Sequence, residues 1–145
     1  MISTALAAAL RELGLAWTPA SGDAFQISGP DFEGDVFTVS DMTIEAHAYP
    51  SGTILGFNGT TEWALDSVAI DDALWLPRED QLRDALAGTF VGMTREVDAA
   101  KRASYVVTTR VDGAEARVVT EDPAEAYGLA LLALLVSLAG GTVAG

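Results

Sequence analysis

A chain of 145 residues is expected to form one domain, 1–145, and at this size it buries roughly 70% of the surface its unfolded form exposes. Half of the residues are hydrophobic and none is cysteine, so a substantial core is available while disulfides and thiol chemistry are excluded, and cytoplasmic residence is the simpler expectation. Against 21 Asp+Glu there are 8 Lys+Arg, a formal net charge of −13, which repels phosphate backbones and anionic membrane surfaces and leaves solubility or a cationic partner as the meaning of the charge.

Ile2, Leu6, Leu10 and Leu13 recur at helical spacing, with Ser3 as N-cap and Gly14 as stop. Thr18 to Pro30 is loop-rich, with a short strand at Ala24 to Ile27. A run of hairpins follows. Asp35 to Ser40 is β-rich, and Met42 to Ala48 alternates apolar and polar residues, as a half-buried strand does. Tyr49-Pro50-Ser51-Gly52 suits a type I turn into a strand at Thr53 to Phe57. Asn58-Gly59 then predicts a tight hairpin turn, with Thr60 to Leu65 pairing back.

The middle reads as helical. Asp71 to Leu76 reads as one turn, and Pro77 opens a firmer helix with Glu79 and Asp80 in its first turn and Leu82, Ala85 and Leu86 on one face; Gly88 closes it. Strands are predicted at Thr89 to Glu96, Ser104 to Val111 and Ala114 to Thr120, the last two joined by Asp112-Gly113 in a type I′ turn. Asp122-Pro123 starts a C-terminal helix, with Asp122 as N-cap and Glu125 completing a variant capping box. No βαβ alternation occurs. The expected fold is therefore α+β, an antiparallel sheet of consecutive hairpins with N-terminal, middle and C-terminal helices packed on it.

No charged residue occurs from Ala126 to Gly145. A helix ending near Gly140 is about 24 Å long, short of a roughly 30 Å hydrocarbon core, and no cationic residue flanks it. Leu129, Leu132, Ala133 and Val136 lie on one side, and Leu131, Leu134, Leu135 and Leu138 cover most of the rest. One side is expected to pack on the sheet. The other meets the N-terminal helix through Leu6 and Leu10, a protein partner, or a second copy in a homodimer. A membrane-tethered tail is the remaining alternative.

The chemistry-bearing residues are few. His47, the only histidine, shares a strand face with Glu45. The two form a weak candidate pair for acid–base work or, with Glu62 or Asp66, for a metal; the bland reading is an exposed strand histidine. Lys101 is the only lysine and no Gly-rich phosphate loop precedes it. No catalytic residue, cofactor or resident metal is implied. Trp63, Trp75 and Arg78 form either an aromatic and cationic interaction patch or, for the two tryptophans, core anchors.

The strings Asn58-Gly59-Thr60-Thr61-Glu62-Trp63-Ala64-Leu65-Asp66-Ser67-Val68 and Leu74-Trp75-Leu76-Pro77-Arg78-Glu79-Asp80-Gln81-Leu82 resemble an uncharacterised family of small bacterial proteins. Some members of that family bear the label "pilus assembly protein". The resemblance runs from Trp17 to the C-terminal helix, and these two strings are its specific part. The label implies a larger ATPase-like domain with a phosphate-binding loop, and the family supplies no catalytic residues to carry over. The expectation is a non-enzymatic protein-interaction module of a bacterial cytosolic protein. The alternative is a small-molecule-binding protein or hydrolase with a pocket between sheet and helices.

Overall fold

A computed structural model describes residues 1–39, 44–49, 52–57, 67–69 and 72–139, with the strands between 44 and 69 described by their backbone alone. Three α-helices and nine strands are present among the described residues: α1 (Thr4–Glu12), β1 (Ala24–Ile27), β2 (Phe37–Thr38), β3 (Ile44–Tyr49), β4 (Gly52–Phe57), β5 (Ser67–Ala69), β6 (Ala73–Leu76), α2 (Glu79–Leu86), β7 (Phe90–Val97), β8 (Ala103–Val111), β9 (Ala114–Thr120) and α3 (Pro123–Ala139). Every described strand pair is antiparallel, so the architecture is α+β. The strands divide into three three-stranded sheets, β2-β1-β6, β3-β4-β5 and β7-β8-β9. The chain forms two compact units, one of Met1–Leu15 with Pro77–Gly145 and one of Ala16–Leu76.

In the first unit α3 packs on β8 and β9, and α1 and α2 pack on α3. Helix α1 follows its sequence signals closely. The Ser3 hydroxyl accepts from the Leu6 N–H at 3.3 Å, satisfying one of the donors that a helix start leaves open. At the other end Gly14 takes φ 101°. Gly14 N–H then reaches the Arg11 carbonyl and Leu15 N–H the Leu10 carbonyl, the paired bonds of a Schellman stop. Leu6 and Leu10 are buried against the rest of the unit.

Helix α2 starts later than expected. Pro77 lies before the N-cap, which is Arg78, and the Arg78 N–H donates to Gln81 Oε1 at 2.9 Å. Leu82 and Leu86 are buried, as predicted, whereas Ala85 is exposed. Gly88 does not close the helix. The closing residue is Ala87, at φ 51° and ψ −131°, and a short 3-10 turn over Ala87–Thr89 leads into β7. Asp112-Gly113 is the predicted type I′ turn: both residues have positive φ, 50° and 82°, and Val111 pairs with Ala114.

In the second unit, β1 lies between β2 and β6. Phe25, Ile27, Val39 and Ala73 form its buried cluster, with Trp17, Phe32 and Phe37 packed against them. The segment Ala73–Leu76 is a strand, not the helical turn its sequence suggests. It pairs with β1, Trp75 opposite Phe25 and Leu76 opposite Ala24. A short apolar run has no period of its own, and a distant partner strand decides its state.

Strands β3 and β4 form the predicted hairpin, closing at Tyr49 opposite Gly52; Pro50 and Ser51 lie outside the described residues, as do Ser40 to Thr43. The Asn58-Gly59 turn and Thr60 to Leu65 also lie outside them. Between Ile54 and Gly56, β4 has β3 on one edge and β5 on the other, with Gly56 opposite Ser67.

Candidate functional site

Helix α3 changes character halfway along its 17 residues. Its start is tightly specified. Asp122 Oδ1 accepts from the Ala124 N–H at 2.8 Å and the Glu125 N–H at 3.2 Å, and the Met1 ammonium donates to Asp122 Oδ2 at 3.2 Å. Burial opposes ionisation of Asp122, but the Glu125 N–H, the Met1 ammonium and the Ala124 N–H outweigh it and hold the carboxyl below its ordinary range. Glu125 does not serve only its own helix. Its carboxylate accepts from the Ser3 N–H and, at 3.3 Å, from the Ser3 hydroxyl. The third residue of α3 thus satisfies the N-cap residue of α1, and two positive helix ends share two carboxylates.

The first half of α3 is packed on nearly all sides. Ala124, Ala126, Tyr127, Gly128, Ala130 and Leu131 are buried. Gly128 faces α1, where a Cβ would stand 2.7 Å from Leu6 Cδ2. The Tyr127 ring lies 5.7 Å from that of Phe90 on β7, with the Arg83 guanidinium of α2 6.0 Å from its centre. Val107, at the middle of the central strand β8, is fully buried.

Beyond Leu131 no residue of α3 is fully buried. Leu132, Leu134 and Leu135 are half-buried, while Ala133, Val136, Ser137, Leu138 and Ala139 are exposed. Val136 is 43% and Leu138 70% exposed, and Leu129 in the packed half reaches 37%. Leu129, Ala133, Val136 and Ser137 recur at the spacing of one helix face. They form an open stripe without charge, on a chain of net charge −13. Two expectations for this helix are thereby met in part: one side packs on the sheet, and α1 covers part of the remainder, with Leu6 at Gly128. The distal half is covered by neither. No helix among the described residues is long and apolar enough to cross a membrane.

The residues singled out in the sequence are distributed as follows. Trp75 sits on β6, half-buried, stacked on Trp17 with centroids 6.4 Å apart and planes 8° apart. Its Nε1 is buried and has no hydrogen-bond partner among the described residues. Arg78 is exposed in the other unit, and its Nε donates to Asp80 Oδ1 at 3.2 Å, which holds the Asp80 carboxyl below its ordinary range. Trp63, Glu62 and Asp66 lie outside the described residues. Glu45 and His47 stand on β3 opposite Gly56 and Ile54, with their side chains outside the described set. Among the described residues no group of three or more His, Cys, Asp or Glu could hold a metal ion.

Sequence reasoning missed Asp23. It is 2% exposed and accepts from the Trp17 indole at 2.9 Å and the Ala20 N–H at 3.0 Å. The only signal was an Asp at the end of a Gly-rich loop, where local backbone bonding is common. Its bonds place it as the anchor of that loop, since a buried carboxylate needs such partners. A scan against protein-family models finds no match, and searches of curated proteins and of solved structures find none either.

Proposed function

We propose that the protein is a non-enzymatic interaction module whose docking surface is the distal half of α3. The observation that carries this reading is the open, uncharged stripe Leu129, Ala133, Val136 and Ser137, on which Leu129 is 37% and Val136 43% exposed; Leu138, on another side of the same helix end, is 70% exposed. Contiguous apolar surface of this kind costs solubility and is retained where another molecule covers it. The side chains of Leu10, Leu82, Leu86, Val107 and Leu131 in the same unit are at 1% exposure or less, so the open surface of this unit's apolar residues lies elsewhere, on the distal half of α3.

The test is a photo-crosslinking residue placed at position 136, or at position 115 on the exposed surface of β9, in the producing cell. The reading predicts a discrete protein adduct at 136 that disappears when Ala133→Glu is added, and none at 115. Equal labelling at both positions, or no adduct at 136, contradicts it.

A further inference from the structure

We infer that Ala16–Leu76 is an inserted unit, closed at its neck by Trp17 and Trp75, that opens and unfolds as one piece while the rest of the chain stays folded. The chain order is that of an insertion. Met1–Leu15 and Pro77–Gly145 form one compact unit, and Ala16–Leu76 lies between them in sequence. The two outer pieces are held together by their own contacts. The Met1 ammonium reaches Asp122, the Glu125 carboxylate accepts from Ser3, and Leu6 fills the space that Gly128 leaves. None of these contacts involves a residue between 16 and 76.

The insertion has its own closure. Trp17 follows its first residue and Trp75 precedes its last, and their rings stack with centroids 6.4 Å apart and planes 8° apart. Trp17 Nε1 donates to the buried Asp23 carboxylate at 2.9 Å, and the Trp17 ring lies 5.5 Å from that of Phe25. Leu76, where the unit ends, pairs with Ala24. Entry and exit are therefore side by side, the condition under which one domain is set into a loop of another. The buried cluster of Phe25, Ile27, Val39 and Ala73 is drawn wholly from within the unit. A segment with its own core, its own bonded closure and adjacent ends has what a separate cooperative unit needs.

The neck is also biased toward opening. Trp75 Nε1 is buried without a hydrogen-bond partner among the described residues. Such a donor costs free energy in the closed form and regains water in the open one, which narrows the gap between them. The chain carries its own reporters of the two units. Its three tryptophans, Trp17, Trp63 and Trp75, all lie within Ala16–Leu76, and α1, α2 and α3 all lie outside it. Tryptophan fluorescence reads the inserted unit, and the helical circular dichroism signal reads the other.

Urea titration of the full chain, followed by both signals, tests the inference with one variant in each unit. Trp17→Ala removes one face of the neck stack. It is expected to lower the tryptophan midpoint, read through Trp63 and Trp75, by at least about 1 M and to leave the helical midpoint in place. Leu82→Ala, at a residue 0% exposed on α2, is expected to do the reverse by a similar amount. Where a variant abolishes its own unit's signal outright, survival of the other unit's transition supports the inference, and loss of both overturns it. Tryptophan and helical midpoints that move together in either variant overturn the separate unit. A tryptophan midpoint unmoved by Trp17→Ala overturns the neck.

Discussion

Gly128 of α3 leaves the space that Leu6 of α1 fills: a Cβ at 128 would stand 2.7 Å from Leu6 Cδ2, 3.2 Å from Ile2 Cδ1 and 3.4 Å from Leu6 Cγ. Leu6 is 6% and Ile2 3% exposed, so neither side chain has open space to retreat into. Gly128→Ala gains about 1 kcal/mol of helix propensity and loses about 1–3 kcal/mol to overpacking, a net destabilisation of about 1 kcal/mol. In a Leu6→Ala background the 2.7 Å clash is gone and only the 3.2 Å approach to Ile2 Cδ1 remains, so the cost of the same substitution falls by at least about 1 kcal/mol. Urea titrations of the four proteins of this double-mutant cycle measure the coupling. Additive effects would show that α1 and α3 do not pack at Gly128.

The carboxylate at the start of α3 makes stability depend on pH. The pKa of Asp122 is lowered in the folded chain. Its contribution is therefore fully present above the unfolded carboxylate pKa of about 4, and is lost as pH falls through the lower folded value. Asp122→Ala removes the cap and is expected to cost about 1 kcal/mol at pH 7, and less near pH 2. Asp122→Asn keeps the capping oxygen, loses only a solvent-exposed ion pair with Met1, and costs a few tenths. Denaturation at the two pH values checks this. Equal losses from Asp122→Ala at both would contradict the assignment.

Much of this first unit was legible in the sequence because its signals are local. Ser3 and Gly14 bound α1, Asp112-Gly113 turns β8 into β9, and Asp122 starts α3, each through bonds to residues a few positions away. What failed was decided by distant partners. Ala73–Leu76 is a strand because β1 pairs with it. Glu125 looked like the second half of its own helix's capping box, but Ser3 occupies its carboxylate. At the candidate site the apolar run of α3 was readable. Its division into a packed and an open half was not, because that depends on how far α1, α2 and the sheet reach along it.

Ala87 holds a positive φ of 51° with ψ −131°, a conformation that L side chains adopt at a cost of about 1–3 kcal/mol. Ala87→Gly relieves this strain and adds about 0.5–1 kcal/mol of unfolded-state entropy. The expected net effect is a stabilisation of up to about 2 kcal/mol. A thermal or urea transition moved to lower stability by Ala87→Gly would show that the helix ends differently.

The two halves of α3 are expected to respond oppositely to substitution. Leu131→Ala opens a cavity at a residue 1% exposed and costs about 2–5 kcal/mol. Val136→Asp lies at 43% exposure, and in dilute monomer it changes stability by no more than about 0.5 kcal/mol. Denaturation at sub-micromolar concentration compares them. A loss from Val136→Asp as large as that from Leu131→Ala would mean that the distal half is covered within the chain itself.

The absence of cysteine permits the most direct test of the docking surface. Val136→Cys places a single thiol on the stripe, and Val119→Cys places one at a β9 position 60% exposed as a control. The measurement is the rate of maleimide labelling in dilute purified protein and in intact producing cells, as the ratio of position 136 to position 119. The account predicts comparable rates at the two positions in dilute solution, and a position-136 rate at least about tenfold slower than the control in cells, where the stripe is covered. A ratio that is the same in both settings would contradict it.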